Sequence, residues 1–210
     1  MTAWRWGVIL SALLSVAELA VLTLRTRAFG SKPVYSSPQG SARRGIVYAF
    51  GRGMLPGEKE SIRLHRLSSL AGILYHAGIF CGFAVLAVLV AGLRLPSPAL
   101  NVLRAGMGIG LVSGLGLLLR RMARPNLRRL SRPDDFAANG LVDLFLAAAL
   151  AASLTARAAV VLWAVSILLL LYIPAGKIRH CLFYFYSRVL FGSFFGHRGV
   201  LPPRAKGAER

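Results

Sequence analysis

Five long apolar stretches dominate the chain, and short segments rich in arginine, proline and glycine separate them. A helix needs roughly 20 mostly apolar residues to cross a hydrocarbon core of about 30 Å. Because lipid offers the backbone no hydrogen-bond partners, stretches of that length are expected to be helical. The predicted helices run from about 6–24, 67–93, 100–119, 136–154 and 158–195, with the last part of the fifth interfacial. This pattern predicts an all-α integral membrane protein, with one membrane domain over 1–210, a basic loop at 25–66 and a tail at 196–210.

Turn-forming residues mark the boundaries between these helices. The segment 95–98, Leu-Pro-Ser-Pro, separates the second and third helices by only a few residues and predicts a tight hairpin. The segment 131–135, Ser-Arg-Pro-Asp-Asp, puts proline and carboxylates where a helix N-terminus favours them. Between the fourth and fifth helices the only polar interruption runs from Ser153 to Arg157.

Five glycines in the third predicted helix follow small-xxx-small spacing, which allows two helices to approach closely in a membrane. They are Gly106, Gly108, Gly110, Gly114 and Gly116. We therefore expect this helix to pack tightly against a neighbour, with no chemistry implied.

The composition supports the same architecture and excludes some functions. Hydrophobic residues make up 56% of the chain and the formal net charge is +19, while the mean hydropathy is +0.61. These values agree if apolar spans alternate with short basic loops. A basic chain could bind nucleic acid through its phosphates, but the long apolar runs argue against a nucleic-acid partner. Two cysteines cannot ligate an iron–sulfur cluster, which takes about four thiolates.

The basic residues also predict an orientation. Most of the 26 lysines and arginines fall in the segments 25–66, 120–132 and 177–210. The other side of the predicted membrane has only Arg5, Arg94, Arg104 and Arg157. By the positive-inside rule, the N-terminus lies outside and the C-terminus in the cytoplasm. The sequence therefore predicts a multi-pass protein of the inner (cytoplasmic) membrane of the cell.

Four titratable side chains lie within the apolar segments, where burial is costly enough to make each a functional candidate. They are Glu18, His76, Asp143 and His180. With a rise of about 1.5 Å per residue, all four fall in the cytoplasmic half of the membrane, in one polar layer. Glu18 and Asp143 could exchange protons during quinol chemistry, or could instead hydrogen-bond to neighbouring helices.

The residues leave two interpretations of the histidines open. His76 and His180 could be the axial ligands of a b-type haem held between the second and fifth helices, with Lys177 and Arg179 as candidate contacts to its propionates. Alternatively, His180 is an interfacial residue and His76 a hydrogen-bonded helix contact. His65 and His197 lie outside the apolar runs. Their side chains are expected to be solvated.

Two short motifs carry a resemblance to a known family. The segments Tyr75–Phe80, YHAGIF, and Ile173–His180, IPAGKIRH, resemble the gamma subunits of respiratory nitrate reductases. They look closer still to the cytochrome b subunits of sulfite-reduction-associated and heterodisulfide-reductase-like membrane complexes. The tail 181–199 and the turn 132–136 look like that second group. The similarity covers most of the chain from about Gly51.

The resemblance implies a function and a ligand set. Nitrate reductase gamma subunits stack two haems between histidines of their second and fifth helices, and His76 and His180 match the pair nearer the cytoplasm. The other pair would fall near Leu86 and Leu162, which cannot bind iron. The resemblance thus implies one haem b relaying electrons between a quinone pool, menaquinone or ubiquinone, and a cytoplasmic iron–sulfur partner.

On that interpretation the chain is a non-catalytic or quinone-reactive subunit of a multi-subunit oxidoreductase. The alternative is a haem-free membrane anchor that docks a soluble redox complex through its basic loops. A small transporter would be expected to contain internal repeats and broken helices, and the sequence shows no repeat.

Overall fold

A computed structural model describes residues 3–30, 35, 37–58 and 65–203 of the chain. Within these residues the secondary structure is helical, with no strand. The α-helices are α1 (Ala3–Ala28), α2 (Ala42–Phe50), α3 (Arg66–Ala91), α4 (Ser97–Ala123), α5 (Pro125–Leu130), α6 (Pro133–Leu154), α7 (Ala159–Ala175) and α8 (His180–His197). Short 3₁₀ turns lie at Arg52–Met54, Pro56–Glu58, Ala156–Ala158 and Lys177–Arg179.

Five segments are long and apolar enough to cross a membrane by length and composition. They are Ala3–Ala28, Arg66–Ala91, Ser97–Ala123, Pro133–Leu154 and Ala156–Ala175. The prediction of an all-α chain with five candidate membrane spans is confirmed. The predicted breaks at 95–98 and 153–157 overlap the gaps between the α-helices, which lie at 92–96 and 155–158. Which membrane the protein occupies and on which side its termini lie stay predictions.

The fifth predicted helix, 158–195, is not continuous in the structure. It is divided into α7 and α8. Pro174 lies inside the last turn of α7 and has no backbone N–H to continue the helical ladder. The backbone N–H of Gly176 closes the helix by donating to the carbonyl of Tyr172 at 2.8 Å. A Cβ at position 176 would overlap the Tyr172 ring, so glycine allows that ring to lie over the end of α7.

The chain forms two compact units, where the sequence predicted a single membrane domain. The bundle unit consists of Met1–Val21 and Leu67–Arg179, and the hairpin unit consists of Leu22–Arg66 and His180–Arg210. Helix α1 belongs to the bundle unit as far as Val21.

In the bundle unit, one stripe of α4 glycines permits close helix packing. A Cβ on Gly110 would lie 2.7 Å from the Cα of Gly78, so α3 and α4 meet backbone to backbone. Gly106 lies against Cys81, and Gly114 lies against Tyr75 and the carboxylate of Asp143. This part of the small-xxx-small prediction is confirmed.

The remaining glycines of that pattern do not take part in the packing. A Cβ on Gly108 or Gly116 would meet nothing within 4 Å. Beside the glycine stripe, apolar side chains from α4, α6 and α7 form the core of the unit. The largest fully buried ones are Phe145, Met107, Leu146, Leu162 and Leu169.

The hairpin unit is built on a second glycine contact, between α2 and α8. A Cβ on Gly45 would overlap the carbonyl oxygen of Gly192 and lie 2.5 Å from the Cα of Gly196. The predicted basic loop 25–66 therefore contains a helix, α2, that pairs with α8, most of which lies in the predicted interfacial end of the fifth helix. At the end of α8, the backbone N–H groups of Gln39 and Gly40 donate to the carbonyl of His197 at 2.9 and 3.1 Å.

Candidate functional site

His76 lies on an exposed face of α3, one turn after Gly72. Its Nδ1 is 2.7 Å from the carbonyl oxygen of Gly72. A carbonyl can only accept, so Nδ1 carries the proton and, in the neutral ring, Nε2 carries the lone pair. The Tyr75 ring stands edge-on to the imidazole, with 6.3 Å between the ring centroids. A histidine held by this hydrogen bond has the tautomer and fixed ring plane that metal-ligating histidines use.

His180 is the first residue of α8 and follows directly after the Lys177–Arg179 turn. Its side chain is exposed. It belongs to the hairpin unit, whereas His76 belongs to the bundle unit. The two predicted haem ligands therefore belong to different units of the structure.

Lys177, a candidate propionate contact, is engaged by a carboxylate of the bundle unit. Its ammonium donates to Asp135, which is 5% exposed and also pairs with the Arg121 guanidinium at 3.2 Å. The same carboxylate accepts the backbone N–H of Arg132 at 2.8 Å and so caps the N-terminus of α6. Arg179, the other candidate, is exposed.

A second carboxylate at this end of α6 is also paired. The Tyr172 hydroxyl of α7 donates to the carboxylate of Asp134 and is 3.3 Å from the Asp134 carbonyl. Together with Asp135 and Lys177 it joins the start of α6 to the end of α7. Proline and carboxylates at 133–135 thus act as predicted for a helix N-terminus, and in addition they bind the neighbouring helix.

Asp143 is buried, 3% exposed, where α3, α4 and α6 meet. Its Oδ2 accepts a hydrogen bond from the Asn139 amide at 2.9 Å. The same amide lies 3.2 Å from the Tyr75 hydroxyl and 3.3 Å from the Gly114 carbonyl. The Tyr75 hydroxyl in turn donates to the Asn139 carbonyl at 3.2 Å. Asp143 Oδ1 has no hydrogen-bond partner among the described residues.

We call Tyr75, Asn139 and Asp143 the polar core cluster. The sequence identified Asp143 but not its two partners, because tyrosine and asparagine are uncharged at neutral pH and do not stand out in an apolar span as Asp, Glu and His do. A signal was present: Asn139 precedes Asp143 by four residues, which places both on one face of a helix. The hydrogen-bond donors and acceptors of the cluster lie inside the bundle unit. The structure therefore supports a role for the Asp143 carboxyl group in joining helices.

Glu18 is not part of that cluster. Its side chain is exposed on α1. Within the bundle unit, Asp143 is thus buried, whereas Glu18 and His76 are exposed. That these side chains share one depth in the membrane stays a prediction.

The two remaining histidines, and the two leucines at the positions of the absent second histidine pair, lie in surroundings that are common for their residue types. His65 is exposed just before α3, and His197 is half-buried at the end of α8. Leu86 and Leu162 are buried in the apolar core of the bundle unit, at 5% and 0% exposure. Among the described residues, no three His, Cys, Asp or Glu side chains form a group that could hold a metal ion.

The residues of the bundle unit can be tested for their fit to a haem. An axial ligand needs an imidazole with one unprotonated nitrogen, and the bond from Nδ1–H to the Gly72 carbonyl makes Nε2 that nitrogen in the neutral His76 ring. Beside it, a Cβ on Gly72 would meet nothing within 4 Å, which leaves space along this face of α3. Lys177 fits poorly as a propionate contact while it pairs with Asp135, and the exposed Arg179 fits better.

Comparisons with protein-family models, with curated proteins and with solved structures found no match to this chain.

Proposed function

We propose that this protein is a membrane-anchoring cytochrome b subunit that relays electrons between the quinone pool and a cytoplasmic iron–sulfur partner. His76 and His180 would be the axial ligands of its single haem b. The observation that carries the proposal is the exposed imidazole of His76, with Nδ1 bonded to the Gly72 carbonyl. Such a bond fixes the ring and raises the basicity of the ligating nitrogen.

The haem would supply one-electron chemistry, and the chain would supply binding and orientation. His76 presents Nε2 from a rigid helix, and His180 lies at the start of α8 beside the exposed Arg179. An arginine in that position suits a propionate, since guanidinium and carboxylate form charge-assisted hydrogen bonds. Five candidate spans supply the contact with lipid and quinone.

Exposed arginines suit the docking of an acidic soluble partner. Arg124, Arg128 and Arg129, in and just before α5, are all exposed in the bundle unit. Complementary charge steers association more than it adds affinity. The iron–sulfur clusters would belong to the partner, and the cytoplasmic location of this surface rests on the positive-inside rule.

The test is spectroscopic and uses the full chain purified from membranes. A pyridine haemochrome assay should give one haem b per chain, and reduced-minus-oxidised spectra should show a b-type signal. His76→Ala and His180→Ala should each abolish that signal, because bis-histidine ligation needs both nitrogens. His197→Ala is the matched control and should leave the spectrum unchanged. A chain without a Soret band, or a His76→Ala variant with an unaltered spectrum, would overturn the proposal.

A haem-free anchor that docks a soluble redox complex is the second candidate. The pairing of Lys177 with Asp135 favours it. Lys177 was predicted to contact a haem propionate, but this ion pair instead joins the start of α6 to the end of α7. On this alternative, the purified chain has no visible absorbance. His180→Ala would then still retain the partner in pull-down from membranes, whereas exchanging Arg124, Arg128 and Arg129 for glutamine would release it.

A further inference from the structure

Two adjoining pockets lie at one end of the bundle unit, where α3 and α6 end and where α1 and α7 begin. Their volumes are about 330 and 270 Å³. Leu89, Ala152 and Ser153 line both, so the two spaces share a wall. This is the end of the bundle opposite the Asp135–Lys177 pair, and neither predicted haem ligand lines it.

The larger pocket contains a polar group without a partner. Arg5 of α1 lines it, and the Arg5 Nε atom is shielded from solvent with no hydrogen-bond partner among the described residues. Another nitrogen of the same guanidinium lies beside Gly92, at the C-terminal end of α3. A buried donor left unpaired is costly, more so when it is charged. The site is therefore suited to a ligand that brings an acceptor.

The neighbouring arginines behave differently. Arg104 donates to the Ser153 hydroxyl and to Asn101, both at 3.1 Å, and its guanidinium also bonds the Ser153 carbonyl. It is satisfied and holds the end of α6 against α4. Arg94 lines the smaller pocket. Two arginines thus face the pocket pair, one with an unmet donor.

Among the described residues, no acidic side chain lines either pocket to serve as the acceptor. All seven acidic residues lie elsewhere in the sequence, at positions 18, 58, 60, 134, 135, 143 and 209. The loops that close this end, 92–96 and 155–158, contain arginines and no carboxylate. The described residues therefore leave the Arg5 Nε–H without an acceptor, and an anionic ligand would supply one and also neutralise the guanidinium charge.

The walls of the pockets are apolar, which indicates that the anion is part of an amphiphile. Trp163 lines the larger pocket, and Val85, Val88 and Leu100 line the smaller one. Tryptophan and arginine at the end of a span are typical of the headgroup level of a bilayer. A phosphate at Arg5 with a hydrocarbon chain along Val85 and Val88 would satisfy both parts of the site.

We propose that these pockets bind one anionic phospholipid, with its phosphodiester on Arg5 and an acyl chain in the smaller pocket. Arginine suits this role because its guanidinium donates to phosphate oxygens in a fixed geometry. The proposal does not depend on haem, since no residue of the site overlaps the predicted ligands.

The test uses the full chain in nanodiscs of phosphatidylglycerol or of phosphatidylcholine with identical acyl chains. The thermal midpoint should be higher in phosphatidylglycerol, because a ligand that binds only the folded state stabilises it. Native mass spectrometry should show one retained phosphatidylglycerol. Arg5→Gln should weaken that retention by about tenfold, as expected for a lost charge-assisted hydrogen bond.

Two controls keep the result specific. Arg157→Gln removes an exposed arginine of the same end that lines neither pocket, and it should leave the lipid preference intact. Arg5→Gln should match the wild type in phosphatidylcholine, which verifies that it folds. Equal midpoints in the two lipids, or an Arg5→Gln variant that keeps the preference, would overturn the proposal. A shift reproduced by inorganic phosphate alone would also overturn it, because the ligand would then be a free anion.

Discussion

Two helix pairs in this protein, α3 with α4 and α2 with α8, meet through glycines that bring their backbones into direct contact. In the first pair, the Cβ-free faces of Gly78 and Gly110 meet. In the second pair, Gly45 lies against Gly192 and Gly196. Small residues let backbones approach closely in both cases, so dispersion contacts replace the packing of large side chains.

The surroundings of the two contacts differ. Beside the α3–α4 contact lie the polar core cluster and a buried apolar core. Beside the α2–α8 contact, large aromatic side chains stay exposed, including Phe185 and Phe194. Arginines lie over two exposed rings of α8: Arg198 is 3.6 Å from the Phe194 centroid and Arg188 is 5.6 Å from the Phe191 centroid.

The comparison shows that a glycine contact does not by itself identify a membrane span. Helix α8 is not among the five candidate spans, although its glycine contact with α2 is as close as that of α3 with α4. Its mixture of aromatic and basic side chains is typical of helices that lie at a membrane surface. The hairpin unit therefore has the close glycine contact that is common between membrane helices, although the composition of α8 is that of an interfacial helix.

The largest effect on this comparison is expected from Gly45→Ala. The added methyl would meet backbone atoms of Gly192 and Gly196, which cannot rotate away as a side chain can. We expect a loss of about 3 kcal/mol in stability, at the upper end for overpacking. Hydrogen exchange measured by mass spectrometry in detergent should rise within α2 and α8.

Gly110→Ala tests the other contact and should raise exchange in α3 and α4 instead. Gly108→Ala is the matched control on the same helix, because its methyl would meet nothing within 4 Å. It should be neutral or stabilise by up to about 1 kcal/mol, since alanine is the better helix former. Increased exchange across both units with either Gly45→Ala or Gly110→Ala would contradict the division into two units.

A smaller effect is expected from Asn139→Ala in the polar core cluster. The substitution removes the donor that Asp143 Oδ2 accepts at 2.9 Å. The buried carboxyl group would then lose its hydrogen bond to the Asn139 amide, at a cost of about 2 kcal/mol. The thermal midpoint in detergent should fall accordingly.

Tyr75→Phe is the milder variant of the same cluster, because its bonds to Asn139 are longer, at 3.2 Å. It should cost about 1 kcal/mol or less. If Asn139→Ala were no more destabilising than Tyr75→Phe, the amide would not be the group that satisfies Asp143.

The spans and their breaks could be predicted from sequence because length and apolarity alone decide whether a segment can cross lipid. Which face of a span turns inward could not. All faces of α3 are apolar, so nothing in the pattern separates the exposed His76 from the buried Tyr75. Helix α2 was missed for a different reason: it has only nine residues and lies in a basic segment.

The sequence also could not predict which of these elements contact one another. The α2–α8 contact joins glycines far apart in the chain, and no periodicity links position 45 to position 192. Similarly, the sequence predicted Lys177 as a ligand contact because its ion-pair partner, Asp135, lies 42 residues earlier in the chain. Local patterns predict elements well, whereas contacts between distant residues depend on how the elements pack.

The smallest effect concerns an ion pair of the hairpin unit that has no counterpart at the α3–α4 contact. The Arg52 guanidinium donates to Glu58 at 2.9 Å, and the Tyr48 hydroxyl donates to it at 3.2 Å. The hydrogen bond from Arg52 holds the pKa of Glu58 below its ordinary value. A carboxyl group with a lowered pKa stabilises the fold above its unfolded pKa, and that contribution is lost as pH falls through the lowered value.

We therefore expect the 48–58 segment to exchange its amide hydrogens slightly faster, relative to the intrinsic rate, as pH falls below about 4. Because Glu58 is at the surface, the change should be small and should shrink further at high salt. Glu58→Gln removes the titrating group, so its exchange should show no such step. A step of equal size in Glu58→Gln would mean that another group controls the segment, and the Arg52–Glu58 pair would then add nothing to the hairpin beyond its glycine contact.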